Sequence, residues 1–537
     1  MTTIAQRATT NTPPRSDHND NHRSDHQSGH KHAGVTRGLD HRLTCTTVES
    51  FATTPTQRAS FSANARLAMA ASQDALRTCH ERGDEIYGLT TGFGPHVRYA
   101  ADADAVAQGA GLIAHLGAGA GEPASAEIVR ATMLIRAQAI ALAHSGIDTC
   151  VADALLELLH AGVVPAVPTI GSVGASGDLC PLSHIARVLM GDGFVIDPVT
   201  NTRTAAGPVL ERCGLAPLAL TGRDALALVN GTAFMSAYLA LTIVRAERLV
   251  GWAERLTGWM YRQLGCRSQA LDPRLHAARG HPGQVESART IFNEANAFGT
   301  HDEDTSRPLQ EVYSLRCAPQ ILGACRDQID SARETVEREI NGINDNPLVI
   351  DDAGGPRVIH GGNFQGQQIA FAADMANAAV VQAALLVERQ IDVLCNPELT
   401  GANLLLAWEP GATSGMAGAQ LTATAIAAEM RINAQHAAIS TIPTNGRNQD
   451  IVSMGTLASR QAFAQLDRFA SILSIAAIGV HQLDHLRRSG RCPGRVTPPI
   501  NGLPSYKPFE LDRPMHDDIA ELSGFWIGRD PTSSGTE

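Results

Sequence analysis

Four stretches in the second half of the chain constrain its fold most: residues 314–343, 366–396, 415–436 and 457–487, each rich in Ala, Leu, Ile and Gln. In the first, Ile321, Leu322, Cys325, Ile329, Ala332, Val336, Ile340 and Ile343 recur with a 3.6-residue period, which marks one apolar face of a long helix. Ala-rich helices of this length approach closely and bury those faces against one another, in a bundle that can extend through a subunit interface. A mainly α fold follows. From Val48 to about Trp252 the pattern is mixed, with helical stretches at 61–81 and 125–145 alternating with Gly/Pro-rich loops at 83–96 and 161–183. No internal repeat is evident. With 537 residues the chain exceeds one average domain. The expected division is a disordered tail (1–40), an N-terminal domain (41–255) and a long-helix bundle with a C-terminal helical region (256–537). The tail is rich in Thr, Asn, Asp, Ser and His, a composition that cannot offset its ordering entropy. Its His18, His22, His26, His30 and His32 read as a solvated run rather than a metal site.

A formal charge of −11 without a Lys/Arg cluster argues against a nucleic-acid partner. The ten Cys are scattered singly with no C-x-x-C, which suggests neither a zinc site nor a disulfide framework. No other metal site is expected. No apolar run approaches the ~20 residues of a membrane helix, and the N-terminus lacks the apolar core of a secretory signal. A reduced cytoplasm is the expected location, with no membrane partner.

The chemistry concentrates in GSVGASGDLCPLSHIA, Gly171 to Ala186. Ala175-Ser176-Gly177 can cyclise if the backbone is held in a tight turn. The Gly177 amide nitrogen attacks the Ala175 carbonyl carbon and water leaves; loss of the Ser176 hydroxyl as a second water leaves an exocyclic methylidene. The product, 4-methylidene-imidazol-5-one (MIO), is a strong electrophile made from the chain alone. Glycines at 171, 174 and 177 suit such a turn, and Asp178 beside it could help move protons.

This stretch resembles the prosthetic-group motif of the histidine, phenylalanine and tyrosine ammonia-lyases, and the resemblance runs from about Tyr87 to Asp450, strongest toward the bacterial tyrosine ammonia-lyases. It implies the ammonia-lyase fold, with the MIO loop in the mixed N-terminal domain, and no external cofactor. IYGLTTGFGP (Ile86 to Pro95) is similar to the loop supplying the catalytic base, which gives Tyr87 that role. LVNGTAFM (Leu228 to Met235) implies Asn230 beside the prosthetic group. QEVYSLRCAPQ (Gln310 to Gln320) supplies Gln310, Tyr313 and Arg316; HGGNFQGQ (His360 to Gln367) supplies Phe364; NQD supplies Asn448, Gln449 and Asp450. Eliminating ammonia from an α-amino acid needs an electrophile to capture the amine and a positioned base for the β-proton. Tyr87 serves as base only when ionised, which calls for a depressed pKa from helix N-termini or cations. Arg316 offers a planar fork for the substrate carboxylate. Asn230 and Tyr313 would hydrogen-bond the electrophile's oxygen. Family sites combine residues of three subunits, so a homotetramer is expected, with Tyr87 and Arg316 from different chains.

LIAHLGAG (Leu112 to Gly119) is similar to the selectivity segment. Its His115-Leu116 pair resembles tyrosine-selective members, where the imidazole binds the substrate phenol. Phenylalanine-selective members typically carry Phe-Leu there and histidine-selective ones Ser-His. Histidine-selective members also place Glu where this chain has Gln449. The expected reaction converts L-tyrosine to trans-p-coumarate and ammonia. Phenylalanine or histidine ammonia-lyase, a tyrosine or phenylalanine 2,3-aminomutase, and an inactive helical scaffold are the alternatives. Two departures from the family pattern stand out. Gly109 and Gly111 enter the helix ahead of the selectivity pair, at about 1 kcal/mol each relative to Ala, and Arg447 replaces a small residue.

Overall fold

The computed structural model describes residues 36–39, 41–197, 200, 202–298, 303–504 and 506–532. Residues 1–35 and 40 of the expected tail, with its five histidines, lie outside the described residues. Residues 36–39 correct the tail's end. Thr36–Gly38 is a strand paired in parallel with Arg58–Ser60, and Leu39 is buried, its N–H donating to the Ser60 carbonyl. An apolar side chain and a sheet partner order what composition alone reads as tail.

Eighteen α-helices and nine short strands occur among the described residues, bearing out the mainly α reading. Three long helices form the centre: Ala233–Leu264, Gln367–Cys395 and Gly455–Arg488. They pack on one another, and the first two also on Ala318–Glu339, with Trp252, Trp259, Tyr261, Phe234 and Phe469 fully buried. The Ala233–Leu264 helix is about 48 Å long at 1.5 Å per residue. It runs through the expected division at 255/256, and residues 36–537 form one compact unit. One continuous core leaves no linker at that position.

The expected 314–343 helix is instead a single turn, Tyr313–Arg316, followed by Ala318–Glu339. Pro319 has no N–H to continue the hydrogen-bond ladder, so the chain breaks at Cys317. Gln367–Cys395 and Gly455–Arg488 are long and apolar enough to cross a membrane, which corrects the sequence expectation that no run is. In each, 72% of the apolar window is buried inside the fold, and buried Asp374, Asn377, Gln390, Gln465 and Gln482 lie along them: they are core helices.

Ser62 caps Ala63–Glu81 through the Ala65 N–H, and Asp104 caps Ala105–Leu116 through Val106 and Ala107. A hairpin, Leu348–Asp352 with Gly355–Ile359, lies on the Ala63–Glu81 helix.

Candidate active site

The loop 171–178 sits where three long helices begin. The Asp178 carboxylate accepts the N–H groups of Phe234 (2.8 Å) and Met235 (3.0 Å), the first turn of Ala233–Leu264. The Gly174 carbonyl accepts from Gly366 N (3.0 Å), which leads into Gln367–Cys395, and from Ser453 Oγ (2.9 Å). Met454 N, before Gly455–Arg488, donates to the Val173 carbonyl (2.9 Å). Helix N-termini carry partial positive charge, so the loop lies in a field that favours negative charge developing on it.

Gly177 is held at φ +67°, and a Cβ on it would lie 2.2 Å from the Gly231 carbonyl oxygen, so only glycine fits. The Asp178 N–H donates to that same oxygen at 2.8 Å. Ser176 is bound on both polar groups: its carbonyl accepts from Asn230 Nδ2 (2.9 Å) and its Oγ from Gln449 Nε2 (2.9 Å). Asn230 Oδ1 is buried without a hydrogen-bond partner. Asp178 is fully buried and also accepts from Ser172 Oγ (3.1 Å) and Thr456 Oγ1 (2.6 Å). Burial outweighs these bonds and raises its carboxyl from 3.8 to about 6. A tight glycine turn, a donor on the Ser176 carbonyl and a carboxyl that can hold a proton near neutrality fit the cyclisation that Ala175-Ser176-Gly177 requires.

Beneath Asn230 lies a buried polar layer. Arg136 Nη1 donates to the Asn230 carbonyl (3.0 Å) and to Asn344 Oδ1 (3.3 Å); Arg223 Nη2 pairs with Asp345 Oδ2 at 2.7 Å. Thr232 bonds Glu339 and receives Asn344 Nδ2 (2.9 Å). Neither the NDNP cluster (Asn344 to Pro347) nor Arg136 is among the site residues expected from the sequence. Two buried arginines, Arg130 and Arg136, in the mostly apolar 126–141 run were the available signal.

The Tyr87 loop reaches the same region. Its phenol oxygen accepts the Gly94 N–H (2.7 Å), and a Cβ on Gly94 would lie 3.0 Å from Asn445 Nδ2, in the loop that carries Gln449. Burial raises the Tyr87 phenol above its ordinary value, with the Gly94 N–H opposing. The expected depression of this pKa is therefore not met within one chain: no cation among the described residues contributes to the Tyr87 environment. His115 is exposed near the C-terminal end of Ala105–Leu116, and its Nδ1 lies 3.1 Å from the Gly111 carbonyl. Leu116 is half-buried against the core. The segment passes the electrophile loop at Gly119, whose Cα lies 3.4 Å from a Cβ built on Gly171.

The other sequence-predicted residues stand apart. Gln310 and Tyr313 are exposed, Tyr313 at 69%. Arg316 Nε donates to the Glu311 carbonyl (2.9 Å) and its guanidinium lies 4.5 Å from the Tyr313 ring centre. Neither hydrogen-bonds Tyr87, Ser176 or Asn230. Phe364 is half-buried between His360 and Gly366; Asn448 and Asp450 are exposed beside Gln449.

Comparison with known proteins bears on this arrangement. The family model described as aromatic amino acid lyase matches residues 43–500. The histidine ammonia-lyase of Anaeromyxobacter sp. strain K is 37% identical over 455 residues, covering 82% of this chain and 89% of that protein. The tyrosine ammonia-lyase of Cupriavidus metallidurans is 37% identical over 466 residues, covering 82% and 86%. The crystal structure of the tyrosine aminomutase from Streptomyces globisporus superimposes with a TM-score of 0.82 at 30% identity, over 92% of this chain and 97% of that one.

Proposed function

The chain belongs to the aromatic amino acid lyase family, and on that premise we propose that it eliminates ammonia from L-tyrosine to give trans-p-coumarate. The observation that carries this reading is the double hold on Ser176, by Asn230 at its carbonyl and Gln449 at its hydroxyl, where three helix N-termini converge.

Ala175, Ser176 and Gly177 would supply the MIO group. When formed, it offers an electrophilic carbon that binds the substrate and improves a poor leaving group. Asn230 Nδ2 already donates to the Ser176 carbonyl, so negative charge developing on that oxygen meets a preorganised donor. Asp178, whose carboxyl is half-ionised at about pH 6, exchanges protons beside the turn during cyclisation. Tyr87 takes the β-proton at its phenol oxygen. Within one chain burial opposes its ionisation, so a cation must come from outside it, and Arg316 of a neighbouring copy in a homotetramer is the candidate. Arg316 Nη groups would grip the substrate carboxylate, with Gln310, Tyr313, Phe364 and Asn448 around it.

The choice of tyrosine rests on His115. The Gly111 carbonyl only accepts, so Nδ1 carries a proton, and in the neutral imidazole Nε2 is an acceptor. An acceptor suits the phenol O–H of tyrosine and has nothing to bind on phenylalanine's ring. Gln449, neutral where histidine-selective members carry Glu, agrees. The likeness to a tyrosine aminomutase favours one second reading, return of ammonia to the β-carbon.

Chromatography of products formed with tyrosine, phenylalanine and histidine offered together tests the assignment: p-coumarate is expected first, β-tyrosine would select the aminomutase, and urocanate or cinnamate as main product would overturn it. Mass spectrometry tests the prosthetic group. The peptide spanning Gly171 to Asp178 should lack two waters in wild type, and Ser176→Ala should lose activity while staying folded. A peptide of full mass in active wild-type enzyme would exclude MIO.

A further inference from the structure

Tyr87 is held at two points. Its phenol is tied to its own loop at Gly94, and its backbone N–H donates to His360 Nε2 at 3.1 Å. His360 directly follows the hairpin strand Gly355–Ile359, which lies on the Ala63–Glu81 helix. From His360 the chain runs to the electrophile loop along anchored steps. Gly361 N donates to Asn346 Oδ1 (2.7 Å), Asn363 Nδ2 to the Ile343 carbonyl (3.2 Å), and Gly366 N to the Gly174 carbonyl (3.0 Å). One segment of the chain, 360–366, therefore grips the base loop at one end and the electrophile loop at the other. Both intermediate anchors lie on residues 343–346, the stretch whose Asn344 and Asp345 belong to the layer beneath Asn230.

We propose that His360 is a positioning residue for Tyr87, and that residues 360–366 are the spacer that sets the Tyr87 phenol against Ser176. The proposal rests on Tyr87 being the base. Its chemistry is specific: a ring nitrogen accepts a backbone N–H only in neutral imidazole, so Nε2 must be bare and Nδ1 must carry the proton. Burial and the Arg223 guanidinium hold His360 below the usual imidazole value, against an opposing Glu85, which keeps the acceptor in place at neutral pH. No other acceptor for the Tyr87 N–H occurs among the described residues. Losing His360's nitrogen frees the loop at the residue that must approach the β-hydrogen. Displacements of about 1 Å at a reacting group cost on the order of a hundredfold in rate.

The test compares His360→Leu, which removes the acceptor, with His360→Gln, whose Oε1 can replace it. Three quantities are read on the full-length enzyme: kcat and KM with the amino acid identified by product analysis, hydrogen–deuterium exchange of the peptide containing Tyr87, and the mass of the 171–178 peptide. His360→Leu should lower kcat roughly tenfold to a hundredfold with KM little changed. Exchange of the Tyr87 peptide should quicken, and the 171–178 peptide should keep its wild-type mass. His360→Gln should recover most of the rate and the protection. Unchanged exchange in His360→Leu, or a Gln variant no better than Leu, would overturn the proposal. Tyr87→Phe is measured alongside: wild-type kcat there removes the base reading, while the exchange result still decides whether His360 holds the loop.

Discussion

Asp178 is a buried side chain whose ionisation bears on the stability of the fold. It accepts four hydrogen bonds, two from the first turn of Ala233–Leu264, yet burial raises its carboxyl to about 6. In the unfolded chain it returns to its ordinary value of 3.8. The folded state therefore binds the extra proton between these values: ionised Asp178 costs stability above pH 6, and the cost is withdrawn as the pH falls from about 6 toward 3.8. Relative to Asp178→Asn, wild type should gain up to about 3 kcal/mol of unfolding free energy between pH 7 and 4. Urea unfolding of both proteins across that range checks it, and a pH-independent difference would contradict the burial argument. On the proposed reading, His115 carries the substrate choice. His115→Phe exchanges an acceptor for ring contact and leaves a substrate phenol unsatisfied, together roughly 2–4 kcal/mol, or about a hundredfold shift in specificity from tyrosine toward phenylalanine. Steady-state kinetics on both amino acids measure the ratio; equal loss on both would assign His115 to packing.

At the scale of the element, the two glycines of Ala105–Leu116 are not equivalent. Composition treats both as weak points in the helix that carries His115. In the fold, a Cβ on Gly109 would lie 2.1 Å from the Leu220 carbonyl oxygen and 2.7 Å from Thr221 backbone atoms, whereas nothing lies within 4 Å of one on Gly111. Gly109 lets this helix approach the start of Gly222–Val229, the short helix that Asn230 ends. Gly109→Ala should therefore destabilise the protein by about 1–3 kcal/mol through overpacking. Gly111→Ala should stabilise it by about 0.5–1 kcal/mol through helix propensity. Denaturation midpoints of the two variants should move in opposite directions; a common direction would mean that local propensity, not contact, governs this helix.

For the whole molecule, the candidate residues fall into two groups. Tyr87, Ser176, Asn230 and Gln449 gather within one chain, while Gln310, Tyr313 and Arg316 lie apart from them, with Tyr313 exposed. In the proposed homotetramer, another copy would complete a site that needs both groups. Tyr87→Phe and Arg316→Ala should each abolish activity, and mixed tetramers made by co-refolding should recover part of it. No recovery in tetramers shown to contain both chains would place the whole site in one subunit.

The helical class was legible in the sequence, as were the Ala175-Ser176-Gly177 turn and Tyr87, Asn230 and Gln449 as candidate site residues, because period and motif are local properties and carry their chemistry with them. The Cys317 break was legible in principle, since Pro319 stands there to be read. Contacts between distant residues were not legible. Arg136 meets the Asn230 carbonyl across 94 positions, and Tyr87 meets His360 across 273. Only folding sets such pairs within 3.1 Å. The ordering of Leu39 and the different fates of Gly109 and Gly111 depend likewise on which surface comes to lie against them. The raised carboxyl of Asp178 depends on how much water the packed helices exclude. Residue types set what this chain can do chemically, and tertiary packing decides where each group sits and in which protonation state.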